Sequence, residues 1–158
     1  MKLNIDCVRD IILWVESVTT PTAFAQYVDV DMVEANSFMY LSESEKPAPD
    51  SLQLNLLENY SNEELVYHIN YCLEADLLTQ IQSNDAAVII IIKDLTPNGH
   101  DFIGNIRDAK SFQAVKKICK LIGVETVKSV VSISSQNTFQ NIGNIMSAIE
   151  KLSNNLCI

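Results

Sequence analysis

The sequence predicts a small α+β fold: a winged helix-turn-helix core with a small antiparallel β-sheet, an insertion after the first helix and extra C-terminal helices. Three adjoining signals carry that expectation. Ser61-Asn62-Glu63-Glu64 has the spacing of a capping box, with Ser61 as N-cap and Glu64 reaching back to the Ser61 N–H. Leu78–Leu95 reads as a β-hairpin around Ser83-Asn84-Asp85, which is turn chemistry. Thr96-Pro97 then opens another helix, with proline at the first position, where a missing N–H costs nothing. Helix, hairpin and helix in this order form the core of a winged helix-turn-helix.

Asn4 to Val18 is predicted as the first helix. Ile5, Val8, Ile12 and Val15 space one apolar face, Ile11, Trp14 and Val18 widen it, and Trp14 belongs in the core. Thr19-Thr20-Pro21 ends it. Ala25 to Val33 reads as a strand or a short helix, and Glu34 to Leu41 is equally ambiguous. Ser42 to Asp50 is a polar loop containing proline. Leu52, Leu54 and Leu56 alternate, so Ser51–Leu57 is expected as a strand completing a three-stranded sheet with the hairpin.

The helix from Ser61 to about Leu77 buries Leu65, Ile69, Cys72 (or Leu73) and Leu77. Its other face carries Glu63, Tyr67, Asn70, Tyr71 and Glu74. Ala87 to Ile92 is almost wholly apolar and β-branched, as a strand covered on both sides or by a partner would be. Phe102, Ile103 and Ile106 form the apolar side of the helix after Thr96. Ala109 to Ile122 spaces Phe112, Val115, Cys119 and Ile122 on one face and Lys110, Lys116, Lys117 and Lys120 on the other, and Gly123 stops it. Val124 to Ile133 is β-branched, yet Val124, Val127 and Val131 fit a helix. Thr138 is placed to cap a last helix with a stripe of Phe139, Ile142, Ile145 (or Met146), Ile149 and Leu152. That stripe is expected to bury against the first helix or across a dimer two-fold through 139–152.

Leu95-Thr96-x-x-Gly99-His100-x-Phe102-Ile103-x-x-Ile106-Arg107 resembles the signature of a family of unknown function numbered 2513, small proteins of phages and Gram-positive bacteria. Tyr60-Ser61-x-x-Glu64-x-x-Tyr67-His68, followed by Leu73-Glu74-Ala75-Asp76-Leu77-Leu78, is similar to that family's preceding helix. Asp6-x-Val8-Arg9-x-Ile11-Ile12 resembles its opening helix. The family's usual Ala-Gly turn is Ala75-Asp76 here, and the Thr19–Tyr60 segment is longer than its connector. The resemblance implies a winged helix-like fold and no assigned activity. The expected organisation is a winged-helix domain over 1–107 with an insertion at 20–58, then a helical extension over 108–158.

Charge is unevenly spread over the 158 residues. The net charge is −9. Residues 1–85 carry three basic against fifteen acidic groups, and the remainder eight against five. Such polarity orients a protein in the field of a charged partner. Cys7, Cys72, Cys119 and Cys157 are scattered without a CxxC, which suggests free thiols in a reducing cytoplasm. The longest apolar run, Ala86 to Ile92, is too short to span a bilayer, and the charged N-terminus does not read as a signal peptide.

No nucleophile elbow, phosphate loop or His-Glu-x-x-His helix is present, and an enzyme, a cofactor and a metal are not expected. His68 lies four residues from Glu64 and from Cys72, a weak metal-like spacing, while packing or capping near the wing suits His100 better than catalysis. Asp29-Val30-Asp31 reads as a solvated face. The expected function is a non-enzymatic binding protein of phage or mobile-element type. Glu63, Tyr67, Asn70, Tyr71 and Glu74 would contact a protein with a basic surface, as an acidic mimic of DNA inhibiting a host nucleic-acid-binding or defence protein (anti-CRISPR-like). The alternative is a DNA-binding regulator using Arg107, Lys110, Lys116, Lys117 and Lys120.

Overall fold

A computed structural model describes residues 1–39, 42–81 and 88–136. The chain runs α1 (Ile5–Val18), β1 (Ala25–Val28), α2 (Val30–Ala35), two single 3-10 turns, α3 (Ser51–Leu57), α4 (Asn62–Glu74), β2 (Leu78–Ile81), β3 (Ile89–Leu95), α5 (Pro97–Ile106), α6 (Ala109–Ile122) and α7 (Val127–Gln136). The fold is α+β, with one three-stranded antiparallel sheet in the order β1-β3-β2.

The sheet differs from expectation in its third strand. Ser51–Leu57 is a helix, and Ala25–Val28 pairs with β3 instead, with Ala25 opposite Ile92 and Val28 opposite Ile89. The Leu52-x-Leu54-x-Leu56 alternation misled because Leu52 and Leu54 face solvent. The buried positions of α3 are Gln53 and Leu56, three apart as on one helical face. Asp50 accepts from the Gln53 N–H and caps the helix. Gln53 is fully buried and fastens α3 to the outer edge of β1: its Nε2 donates to Val28 O (2.6 Å) and its Oε1 accepts from Val28 N (2.9 Å). That satisfies backbone groups an edge strand otherwise offers to other chains. The ambiguous Ala25–Val33 segment splits into β1 and the start of α2, which Asp29 caps by accepting from Met32 N.

β3 alternates. Ile90 and Ile92 enter the core, whereas Ile89 and Ile91 are half-buried, so it is not covered equally on both sides. The hairpin tip at 83–85 and the 139–152 stripe lie outside the described residues. One apolar cluster joins α1 (Ile11, Ile12, Val15), α4 (Leu65, Ile69, Cys72), β3, α5 (Phe102, Ile103, Ile106), α6 (Phe112, Val115, Cys119) and α7 (Val127, Val130). Trp14 is in that core, edge-on to Tyr27 at 6.1 Å between ring centroids. Two stripe assignments change. Ile122 is exposed, Ile118 taking the buried position, and α7 buries Val127, Val130 and Ser134, with Val131 half-buried.

The junction from α4 to α5 explains the Thr-x-x-Gly block. α4 ends at Glu74 in a Schellman motif: Leu77 N donates to Cys72 O and Asp76 N to Leu73 O. Asp76 takes the left-handed conformation that closes the motif, at φ 56°. Thr96 then ties α5 to this turn. Its N–H donates to Leu77 O, its hydroxyl to Asp76 O, and its Oγ1 accepts the Gly99 N–H. Gly99 lies so close to Leu77 that a Cβ would stand 2.2 Å from the carbonyl oxygen. Glycine is required there by space.

Candidate functional site

α4 presents three different sides. Its apolar side packs on α1 and the sheet. Ser61 Oγ accepts from Glu64 N, as a capping residue should. The reciprocal half of the expected box is diverted, because Glu64 Oε1 accepts from Asn4 Nδ2 at 2.8 Å. Asn4 N donates to His68 Nε2 at 2.9 Å, and His68 Nδ1 lies 2.8 Å from Glu64 O. These partners assign the tautomer: Nε2 accepts, so Nδ1 carries the hydrogen and donates to the carbonyl. The start of α1 is therefore knotted to the first turns of α4.

The metal-like spacing seen around His68 resolves differently in space. Cys7, not Cys72, joins Glu64 and His68, with one potential ligand atom of each within 4.8 Å of the others. Both ring nitrogens of His68 are engaged. Burial, reinforced by Glu64 and Asp10, pushes the Cys7 thiol up to about 12, which disfavours the thiolate a metal would need. The hydrogen bonds from Asn4 to Glu64 and His68 tie the cluster to the start of α1.

The second side of α4 is acidic. Glu63, Asn70 and Glu74 are exposed, and no lysine or arginine lies between Asn62 and Glu74. Asn62, buried at the start of α4, binds two further carboxylates. Its Nδ2 donates to Asp29 Oδ1 and to Asp31 Oδ2, both at 2.8 Å, and its Oδ1 accepts from Tyr27 OH. The Asp29-Val30-Asp31 pair, read from sequence as a solvated face, is thus anchored at the start of α4. Nothing in the sequence pattern marks Asn62 as a hub, beyond its place directly after the N-cap.

The third side carries the tyrosines. Tyr67 and Tyr71 are half-buried, with ring centroids 4.5 Å apart and planes inclined by 35°. Tyr67 OH donates to Met1 O at 3.0 Å. The pair faces residues 1–3 and the α6–α7 turn, so three of the five expected contact residues lie together in the open and two turn aside.

The basic set is dispersed. Arg107 makes a two-oxygen contact with Glu16 at 2.6 and 2.8 Å. Lys116 does the same with Asp6 at 2.8 and 2.6 Å, and its ammonium lies 5.4 Å from the Phe112 ring centroid. Lys110 is exposed on the first turn of α6, which Asp108 caps. Lys117 and Lys120 line the hollow between α6 and the N-terminal segment. His100 is exposed on α5, its backbone N–H closing the first turn on Thr96 O, and so it does not pack.

A family model described as "Hypothetical protein (DUF2513)" matches residues 29–125, and the chain belongs to that family. The matched span contains α4 and the Thr96–Gly99 block, whereas the Asp6–Ile12 likeness falls outside it. Neither the curated proteins nor the solved structures gave a match. No described helix is long and apolar enough to cross a membrane.

Proposed function

We propose that the chain is a non-enzymatic, winged-helix-type binding module that docks onto a protein with a basic surface through the acidic side of α4. The element order supports the winged-helix reading. With the short α2 and the two 3-10 turns standing as an insertion between β1 and α3, the order is helix, strand, two helices (α3, α4) and hairpin, with β3 central in the sheet. α4 then occupies the place of the recognition helix, which in DNA-binding relatives of this architecture enters the major groove.

One observation carries the choice of partner: the exposed Glu63 and Glu74 share α4 with no cation, beside Asp29 and Asp31 gathered by Asn62. At about 4 Å two like charges repel by roughly 1 kcal/mol in water and several-fold more when partly desolvated. Such a side opposes phosphates and suits a protein groove built for phosphates, the groove of a host nucleic-acid-binding or defence protein. The duplex-regulator alternative is weaker, because Arg107 and Lys116 already satisfy Glu16 and Asp6.

The test is titration of the full chain against a labelled Lys/Arg-rich peptide and against a duplex. The peptide should bind with marked salt dependence. Glu63→Lys with Glu74→Lys should weaken it at least about tenfold, about 1.4 kcal/mol, while duplex binding stays negligible. Tight duplex binding at physiological salt, lost on changing Lys110 and Lys117, would replace this reading with the regulator.

A further inference from the structure

The tyrosine side of α4 opens onto a groove lined by the N-terminal segment, α6 and the α6–α7 turn. A hollow of about 890 Å³ lies between residues 2–6, Glu64 and α6. A second, of about 600 Å³, continues past Tyr67 and Tyr71 to the α6–α7 turn. They share Lys2, Leu3, Cys119, Lys120 and Val124, and so adjoin.

Its charge is opposite to that of the chain. Lys2, Lys116, Lys117 and Lys120 line it, four of the eleven basic residues in a protein of net charge −9. The carboxylates present are Asp6, Glu64 and Glu125. Asp6 is occupied by Lys116 at 2.6 Å, and Glu64 accepts from Asn4 Nδ2. Four lysines stand against three carboxylates in this concave site, an excess of one positive charge, since the Lys116–Asp6 pair cancels and the Asn4 amide leaves the charge of Glu64 in place. At one end stands the Tyr67–Tyr71 pair.

A cationic track that ends on aromatic rings matches single-stranded nucleic acid, whose backbone follows the charge and whose bases stack. An acidic peptide would use the cations and leave the rings without a role. A duplex hides its base faces. We propose that this groove binds single-stranded nucleic acid, with phosphates at Lys2 and Lys120 and a base against the Tyr67–Tyr71 pair. Glu63 and Glu74 line neither hollow, although Glu74 borders Tyr71 in a smaller one of about 150 Å³ at the start of α7.

The probe is a labelled oligothymidylate of about a dozen nucleotides, within the usual span of such sites, titrated against the full chain by fluorescence anisotropy across a salt series. Lys2→Glu with Lys120→Glu should cut affinity at least about tenfold and flatten the log–log salt slope by about 1.4, at roughly 0.7 per phosphate contact on a single strand. Tyr71→Leu should weaken binding about tenfold and leave the slope unchanged, because stacking releases no counterions. Lys93→Glu, an exposed cation on β3 outside the groove, should bind as the unaltered chain does. Circular dichroism verifies folding, and Lys2→Glu alone, on the exposed N-terminal segment, serves where a double variant unfolds. Absence of binding at low salt, an equal loss with Lys93→Glu, equally tight binding of a duplex, or displacement by oligoglutamate at equal concentration would each overturn the proposal. If the peptide of the preceding section binds and the oligomer does not, only the groove assignment fails. The reverse result removes only the acidic-side reading.

Discussion

Gly99 and Gly104 lie on the same helix, and the structure assigns opposite signs to their replacement by alanine. At Gly99 the new Cβ would meet Leu77 O at 2.2 Å, Leu77 C at 3.2 Å and Leu95 Cβ at 3.3 Å. The first contact is with backbone, and that carbonyl accepts the Thr96 N–H at 3.0 Å, so it cannot turn away without losing a bond. Overpacking costs about 1–3 kcal/mol, and a backbone obstacle belongs at the upper end. Loss of the Thr96 bond adds about 1 kcal/mol. Alanine returns about 1 kcal/mol of helix propensity. The balance is a loss of about 3 kcal/mol. At about 2–4 °C per kcal/mol for a chain of this size, Gly99→Ala should lower Tm by about 6–12 °C. Gly104 is exposed, with nothing within 4 Å of its Cβ position. Gly104→Ala should therefore gain about 0.5–1 kcal/mol and raise Tm by about 1–4 °C. Calorimetry of the two variants decides the matter. An unchanged or higher Tm for Gly99→Ala, or a comparable fall for Gly104→Ala, would refute the claim that space fixes this glycine.

Two further predictions concern buried polar groups. Burial raises the thiols of Cys7 and Cys72 and the phenols of Tyr27 and Tyr60, with the Cys7 thiol going from 9.0 to about 12. The folded state thus prefers their protonated forms. The linked stability is fully present below about pH 9 and lost as pH rises from 9 toward 12, so urea midpoints should be flat below pH 9 and fall steeply above it. A Cys7→Ser variant should show a shallower fall, and an identical profile would remove Cys7 from the account. Gln53→Leu leaves Val28 N and O without the side-chain partners they have now. At about 1–3 kcal/mol for each group left unpaired, it should cost roughly 2–6 kcal/mol in chemical denaturation, and a loss below about 1 kcal/mol would show that solvent or repacking replaces the clamp.

Much of the fold was legible because caps and apolar spacing agreed with the packing that followed. Ser61 and Thr96 accept backbone N–H groups at their helix starts as their spacing predicts, and Gly123 ends α6 in the left-handed conformation. Asn4 and Asp108 cap two further helices that only their apolar spacing marks. Reading failed where tertiary contacts overrode local pattern. In α3 the leucines that drew attention are exposed and the anchoring residue is a buried glutamine, so hydropathy pointed the wrong way. The capping box half-failed because Asn4, sixty residues distant in sequence, competes for the Glu64 carboxylate. Local spacing identified His68 with Glu64 but chose Cys72, one helical turn away, over Cys7, which only the α1–α4 contact brings near. Of the two sets of expected contact residues, Glu63, Asn70 and Glu74 are exposed together on α4. The sets could not reveal that Tyr71 of one and Lys120 of the other border the same hollow, because that follows from how α6 returns past the N-terminal segment.

The sidedness of α4 bears on how one small domain can separate two opposite charges. The knot of Asn4, Glu64 and His68 fixes the N-terminal segment along one flank of α4, and Tyr67 OH holds Met1 O beside it. Lys2 thereby lines the groove, which Glu63 and Glu74 do not. Salt screens exposed charges over about 8 Å at physiological ionic strength, which weakens the pull between the two sides of the helix. A loose N-terminus would let Lys2 neutralise the nearest carboxylates instead. The buried His68 therefore contributes to charge pattern as well as to stability, since its ring is what the Asn4 backbone N–H grips.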